Sequence, residues 1–153
     1  MEINTLTQLG NIITSELENN KLIDLKNILE NYTGQDWKDY VSFCCQKYKR
    51  NLVFINQSIE ILIICWEDGQ KSGTHDHAEN GCLLRMMEGS LREDVYMRNG
   101  DTFNFINSNF MQKDDISYKQ GTLCLHNIIN ESGYQSVSLH IYSPPNYKAT
   151  FYS

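Results

Sequence analysis

Between residues 51 and 142 the chain is cut into short runs rich in β-branched and aromatic residues, and this pattern restricts the fold more than any other feature. Segments 52–56, 59–66, 82–87, 91–97, 102–106, 122–125 and 137–142 each suit a strand, with polar or glycine-bearing stretches between them. Glu88-Gly89-Ser90 and Arg98-Asn99-Gly100-Asp101 read as hairpin turns. Many short, closely spaced strands imply a mostly β fold, either a sandwich or a closed barrel.

The first fifty residues follow a different period. Ile3, Leu6, Leu9, Ile13 and Leu17 recur at helical spacing, and Leu22, Leu25, Ile28, Leu29 and Tyr32 repeat it. Gly34 interrupts the pattern, after which Asp36 is placed to cap a third helix carrying Trp37, Tyr40, Val41, Cys44 and Tyr48. The expected organisation is one domain over 1–153, with a helical cap (1–50) packed on a β-barrel (51–153); a length of 153 residues fits that.

A net charge of −6 leaves nothing to neutralise a phosphate backbone, so nucleic acid is not an expected partner. The longest apolar run, 61–66, is far too short to cross a bilayer, and the N-terminus has no basic segment followed by an apolar core. A cytoplasmic monomer is the expectation. The five cysteines (Cys44, Cys45, Cys65, Cys82 and Cys124) lack metal-knuckle spacing and are expected to be reduced thiols. Cys44 and Cys45 are adjacent on the expected helix, point in different directions and read as packing residues.

Within 69–89, His75 and His77 are separated only by Asp76. On a strand alternate side chains share a face, so both imidazoles can address one centre while Asp76 points away, solvated or supporting a ligand. His126, beyond further strand-like runs, is the candidate third ligand. Three histidines leave iron, zinc, copper and nickel open. Gly69, His75, His77 and Gly89 stand at the spacing of the first cupin motif, whose glutamate position holds Cys82; His126 and Asn130 fit part of the second, where Gly121 and Leu123 replace its proline and glycine. The motifs resemble those of cupins, implying a cupin-type β-barrel (a double-stranded β-helix, or jelly roll).

The cysteine at the glutamate position sharpens the resemblance. With Tyr48-Lys49-Arg50-Asn51-Leu52, Cys65-Trp66, His75-Asp76-His77, Cys82-Leu83-Leu84, Glu88-Gly89-Ser90-Leu91-Arg92-Glu93 and Ser136-Val137-Ser138-Leu139-His140-Ile141-Tyr142-Ser143-Pro144-Pro145, the chain resembles the cysteine dioxygenase family from about Tyr48 to Pro145. The resemblance implies non-haem Fe(II) held by His75, His77 and His126, and O2-dependent oxidation of L-cysteine to cysteine sulfinic acid, with the substrate thiolate and amine on iron. Arg50 would bind the carboxylate, with Tyr48 in the substrate site and Tyr142 beside both iron and substrate. Cys82 and Tyr142 match the pair that this family can join as a thioether, a protein-derived cofactor. His140 matches a histidine bonded to the tyrosine hydroxyl, Ser138 continues that chain, and Trp66 matches an aromatic wall.

From the residues alone, Arg50 is one more cation at a helix end beside Lys47 and Lys49, and Cys82 is a small apolar strand residue. An arginine fork nonetheless suits a carboxylate better than an ammonium would. Glu79 and Glu93 can be considered as substitute carboxylate ligands, but neither stands at the motif position. Tyr147 and Phe151 read as packing residues, and with the chain ending at Ser153 the outer wall of the pocket is expected to lack the longer tail of animal relatives. A dioxygenase for another small thiol (3-mercaptopropionate or cysteamine) and a non-catalytic metal-binding cupin are the competing readings.

Overall fold

Residues 2–153 are described by the structure, a computed structural model. Helix α1 (Leu6–Glu16) starts at Thr5, whose hydroxyl accepts from the Gln8 amide at 3.1 Å, and buries Leu6, Leu9 and Ile13. A 3₁₀ turn (Leu22–Leu25) leads into the short α2 (Lys26–Glu30), and a second 3₁₀ turn covers Asp36–Tyr40. The third helix expected to reach Tyr48 does not form. Asp36 makes no cap for its own segment; its carboxylate accepts from the Leu6 amide at 2.9 Å and from the Tyr32 hydroxyl. It therefore satisfies an orphan donor at the start of α1 and ties the two helical segments together.

Ten strands follow among the described residues: β1 (Lys49–Ile55), β2 (Glu60–Trp66), β3 (Thr74–His75), β4 (Gly81–Glu88), β5 (Leu91–Asn99), β6 (Thr102–Met111), β7 (Ile116–Lys119), β8 (Cys124–Ile129), β9 (Ser136–Ser143) and β10 (Phe151–Tyr152). They form two five-stranded antiparallel sheets, in the orders β1-β2-β9-β4-β7 and β10-β3-β8-β5-β6. The result is a mostly β jelly roll, as expected, built from two facing sheets rather than one closed hydrogen-bonded cylinder. Strand β6 runs to Met111 instead of stopping near 106, because the β5–β6 pairing continues past a register shift at Val95/Tyr96. Strand β8 starts at Cys124, later than the expected 122. Strands β3, β7 and β10 are too short to carry a period-2 signal.

The central strands β2, β4 and β9 of the first sheet are buried along almost their whole length, which explains the near-continuous apolar run of β2. Ile61, Ile63 and Cys65 of β2 and Val137, Leu139 and Ile141 of β9 pack with the helices in one cluster, together with Leu9, Ile13 and Leu29. The alternate residues turn inward: Leu62, Ile64 and Trp66 join Leu84 and Met86 of β4, Leu91 and Met111 of the second sheet, and Ile128 of β8. Arg85 of β4 fastens the helices from beneath, donating from Nη1 to the carbonyls of Leu29 and Tyr32 at 2.7 and 2.8 Å. Gly89, at φ +76°, turns β4 into β5; a Cβ there would lie 2.4 Å from Ser136 Oγ. No helix among the described residues is long and apolar enough to cross a membrane.

Candidate metal centre and substrate pocket

Two-residue periodicity on β9 sends Ser138, His140 and Tyr142 between the sheets while their neighbours face the helices. On the opposite sheet, β3 and β8 are paired with His75 directly across from His126. His77 lies just past the end of β3, but the strand-like alternation continues: the Asp76 amide donates to the Thr150 carbonyl and the His77 amide to the Gly121 carbonyl. The side chains of His75, His77 and His126 therefore converge, each offering a ligand atom within 4.8 Å of the others.

The hydrogen bonds fix which nitrogen each ring offers. His75 Nδ1 donates to the Gly73 carbonyl at 2.8 Å, His77 Nδ1 to the Cys124 carbonyl at 3.0 Å, and His126 Nδ1 to Glu93 Oε2 at 2.8 Å. In the neutral rings all three Nε2 atoms are then bare acceptors. His77 Nε2 is buried with no partner among the described residues, and His75 Nε2 and His126 Nε2 face one another at 3.2 Å. Two bare acceptors so close suit a shared cation, since metal–imidazole bonds near 2.1 Å bring neighbouring nitrogens to about 3 Å. Burial, reinforced by the neighbouring His126, lowers His75 to about 3 and His77 to about 2, which keeps both neutral and ready to ligate. The residues fit a non-haem metal ion.

Glu93, weighed in the sequence only as a substitute ligand, sits behind His126 instead. It is fully buried and accepts from Asn109 and Ser117 as well as His126, with Lys119 Nζ at 3.3 Å. Burial alone would raise its carboxyl; the His126 hydrogen bond and the Lys119 charge outweigh that and bring it to about 2. The signal was present in β5, where Glu93 shares a face with the buried Leu91 and so puts a charge on the inward side.

A cavity of about 300 Å³ opens beside the imidazoles, small for a ligand pocket. Arg50 reaches it from β1, its guanidinium 5.5 Å from the Tyr142 ring centroid, and makes no ion pair among the described residues. Tyr48 also lines it and stacks on Trp66 at 4.7 Å between centroids. Trp66 Nε1 donates to Ser138 Oγ at 3.0 Å, and Ser138 Oγ lies 2.8 Å from His140 Nε2. The Ser138 hydroxyl has no other acceptor among the described residues, so it donates to Nε2 and the ring carries its proton on Nδ1. That proton faces Tyr142 Oη at 3.1 Å, with Cys82 Sγ at 3.9 Å from the same nitrogen. Burial, then the charge of Arg50, keeps His140 well below its usual pKa and hence neutral.

Cys82 and Tyr142 are directly opposite across β4 and β9. Burial raises the Cys82 thiol, and burial followed by the Cys82 charge raises the Tyr142 phenol. All five cysteines are free thiols. Asp76, Tyr147 and Phe151 depart from expectation. Asp76 is buried rather than solvated, and Tyr147 and Phe151 line the cavity, Phe151 at 5.2 Å from the His75 ring, so a wall is present where the sequence left one in doubt.

A family model described as cysteine dioxygenase type I matches residues 2–153. Among similar proteins, cysteine dioxygenase type 1 of Danio rerio is 32% identical over 132 residues, covering 80% of this chain and 65% of the relative. The Homo sapiens protein of the same name is 31% identical over 129 residues, covering 80% and 64%. The chain thus spans just under two thirds of the length of these relatives. Among solved structures, a Klebsiella pneumoniae protein with a double-stranded β-helix domain superposes with a TM-score of 0.61 at 16% identity, covering 79% of this chain and 97% of that one. A cupin superfamily protein from Desulfitobacterium hafniense gives 0.55 at 9% identity, covering 72% and 89%. These structural likenesses carry the fold, and the match over 2–153 carries the family: the chain belongs to the cysteine dioxygenases.

Proposed function

We propose that this protein is a thiol dioxygenase that converts L-cysteine and O2 to cysteine sulfinic acid, with Fe(II) held by His75, His77 and His126. The carrying observation is that three bare imidazole nitrogens and the Arg50 guanidinium, which has no ion pair among the described residues, open onto one small cavity. Bound ferrous iron supplies the redox chemistry with dioxygen and the Lewis acidity that ionises a thiol.

The chain's own groups set the substrate's orientation. Arg50 offers a planar fork for the carboxylate, and the Tyr142 ring beneath it holds the guanidinium in place. Tyr48, stacked on Trp66, closes that side of the cavity. The line Trp66–Ser138–His140 ends in an Nδ1–H donated to Tyr142 Oη, which holds the phenol at the cavity wall. Among the described residues no carboxylate joins the three imidazoles, which suits a substrate that arrives as a thiolate and brings the negative charge itself. The placement of Cys82 opposite Tyr142, with sulfur and hydroxyl oxygen around one nitrogen, supports a thioether between them. Both atoms of O2 pass to one sulfur, so the thiol and O2 account for every atom of the sulfinic acid without a further reductant.

The test is oxygen uptake and product mass for iron-loaded protein with L-cysteine, 3-mercaptopropionate and cysteamine. L-cysteine, with the carboxylate that Arg50 needs and an amine besides, should be consumed most efficiently. Equal or better turnover of 3-mercaptopropionate rejects the substrate assignment. Iron binding with no oxygen consumption for any thiol rejects the enzymatic reading in favour of a non-catalytic cupin.

A further inference from the structure

Asp76 stands between two ligand-bearing histidines yet turns its carboxylate away from their centre, and nothing in the chemistry above uses it. It is 3% exposed and forms no ion pair among the described residues. A buried carboxylate is costly unless its oxygens are hydrogen-bonded. Both donors it finds come from one short C-terminal stretch: the Tyr147 hydroxyl at 3.0 Å and the Thr150 amide at 2.8 Å, both to Oδ1. The Asp76 amide returns a bond to the Thr150 carbonyl at 3.1 Å. Immediately beyond, β10 pairs with β3, Phe151 opposite His75 and Tyr152 opposite Thr74.

That stretch is a wall of the cavity. Tyr147, Lys148, Ala149 and Phe151 all line it. A few contacts thus connect the histidine pair to the surface a substrate would meet, and Asp76 is their hub.

We propose that Asp76 is a positioning residue that fastens the C-terminal stretch beside the imidazoles, so that Tyr147 and Phe151 restrict the site to thiols about the size of one amino acid. The inference deepens the thiol dioxygenase reading and rests on it for the identity of the substrate. The fastening itself is a property of the metal-free chain.

Hydrogen exchange of the 147–152 segment in metal-free protein, comparing Asp76→Ala, Asp76→Asn and Tyr147→Phe, tests the fastening. Loss of both Oδ1 bonds in Asp76→Ala should speed exchange there about tenfold. Asp76→Asn keeps an oxygen that accepts the same two bonds and should restore protection, while Tyr147→Phe, losing one bond, should fall between. If Asp76→Ala loosens the whole fold, Tyr147→Phe decides; unchanged exchange of 147–152 in Tyr147→Phe and Asp76→Ala overturns the proposal. In iron-loaded protein, the kcat/KM preference for L-cysteine over the larger thiol cysteinylglycine should drop about tenfold in Asp76→Ala and recover in Asp76→Asn. Loosened exchange with an unchanged preference overturns the specificity role, because a merely structural loss lowers both substrates in parallel. An unmutated protein that oxidises no thiol defeats the dioxygenase reading and with it the specificity role, while the exchange result still decides the fastening.

Discussion

Glu93 Oε2 accepts the Nδ1 proton of His126 at 2.8 Å from a carboxylate with no solvent exposure. The bond sets the ring so that Nε2 meets His75 Nε2 at 3.2 Å, and such a partner behind an imidazole fixes its tautomer and orientation toward a metal. Glu93→Gln retains an acceptor oxygen and removes the charge, so metal affinity should fall by about 10–100-fold. Titrating metal-free protein with Fe(II) under anaerobic conditions checks this; unchanged affinity would mean that the buried carboxylate serves only the fold.

Arg50 should separate substrate binding from metal binding. It lines the cavity without an ion pair among the described residues, and a charge-assisted hydrogen-bonded pair with a carboxylate is worth about 1.5–3 kcal/mol. Arg50→Gln should therefore raise the KM for L-cysteine about 10–100-fold and leave iron affinity as it was. Steady-state oxygen uptake and an iron titration on the same preparation provide both values.

The metal-free protein should lose stability in mild acid. His75 is lowered from 6.5 to about 3 and His77 to about 2, burial being the main cause. Across that window the unfolded chain binds protons that the folded chain refuses, so stability is fully present above about pH 6.5 and declines as pH falls below it, by at most about 1.4 kcal/mol per pH unit for each ring. Urea denaturation of the metal-free protein between pH 7 and 5 measures it. A flat profile would mean that these rings are not held in their neutral form.

Thiol labelling should sort the cysteines. Cys45 is exposed, and the Cys44 thiol is lowered by the backbone amides of Gln46 and Lys47, whereas burial raises Cys65 and Cys82. Iodoacetamide at neutral pH should modify Cys44 and Cys45 first and spare Cys65 and Cys82, as read by peptide mass spectrometry. Early labelling of Cys82 would contradict its place between the sheets.

The clustering of His75, His77 and His126 and the inward strip Ser138–His140–Tyr142 were legible because period-2 alternation and short motifs are local properties of the chain. Other features depend on distant partners. Asp36 has good helix-capping chemistry, but the Leu6 amide and Tyr32 hydroxyl compete for its carboxylate, and the third helix is lost. Strand β10 exists because it pairs with β3, and its two residues carry no pattern of their own. Asp76 was expected to be solvated or to support a ligand, since only the returning C-terminal stretch removes it from water. Glu93 could be seen as a charge on an apolar face, but its partner His126 lies far along the sequence and is brought near through the β5–β8 pairing.

Both atoms of dioxygen should reach one thiol sulfur. Iron-loaded protein supplied with L-cysteine under ¹⁸O₂ tests it most directly, with the product's mass measured after a single addition. The expected product is cysteine sulfinic acid carrying two labelled oxygens, formed mole for mole with oxygen consumed. A product with one labelled oxygen, or cystine with no label, would contradict it.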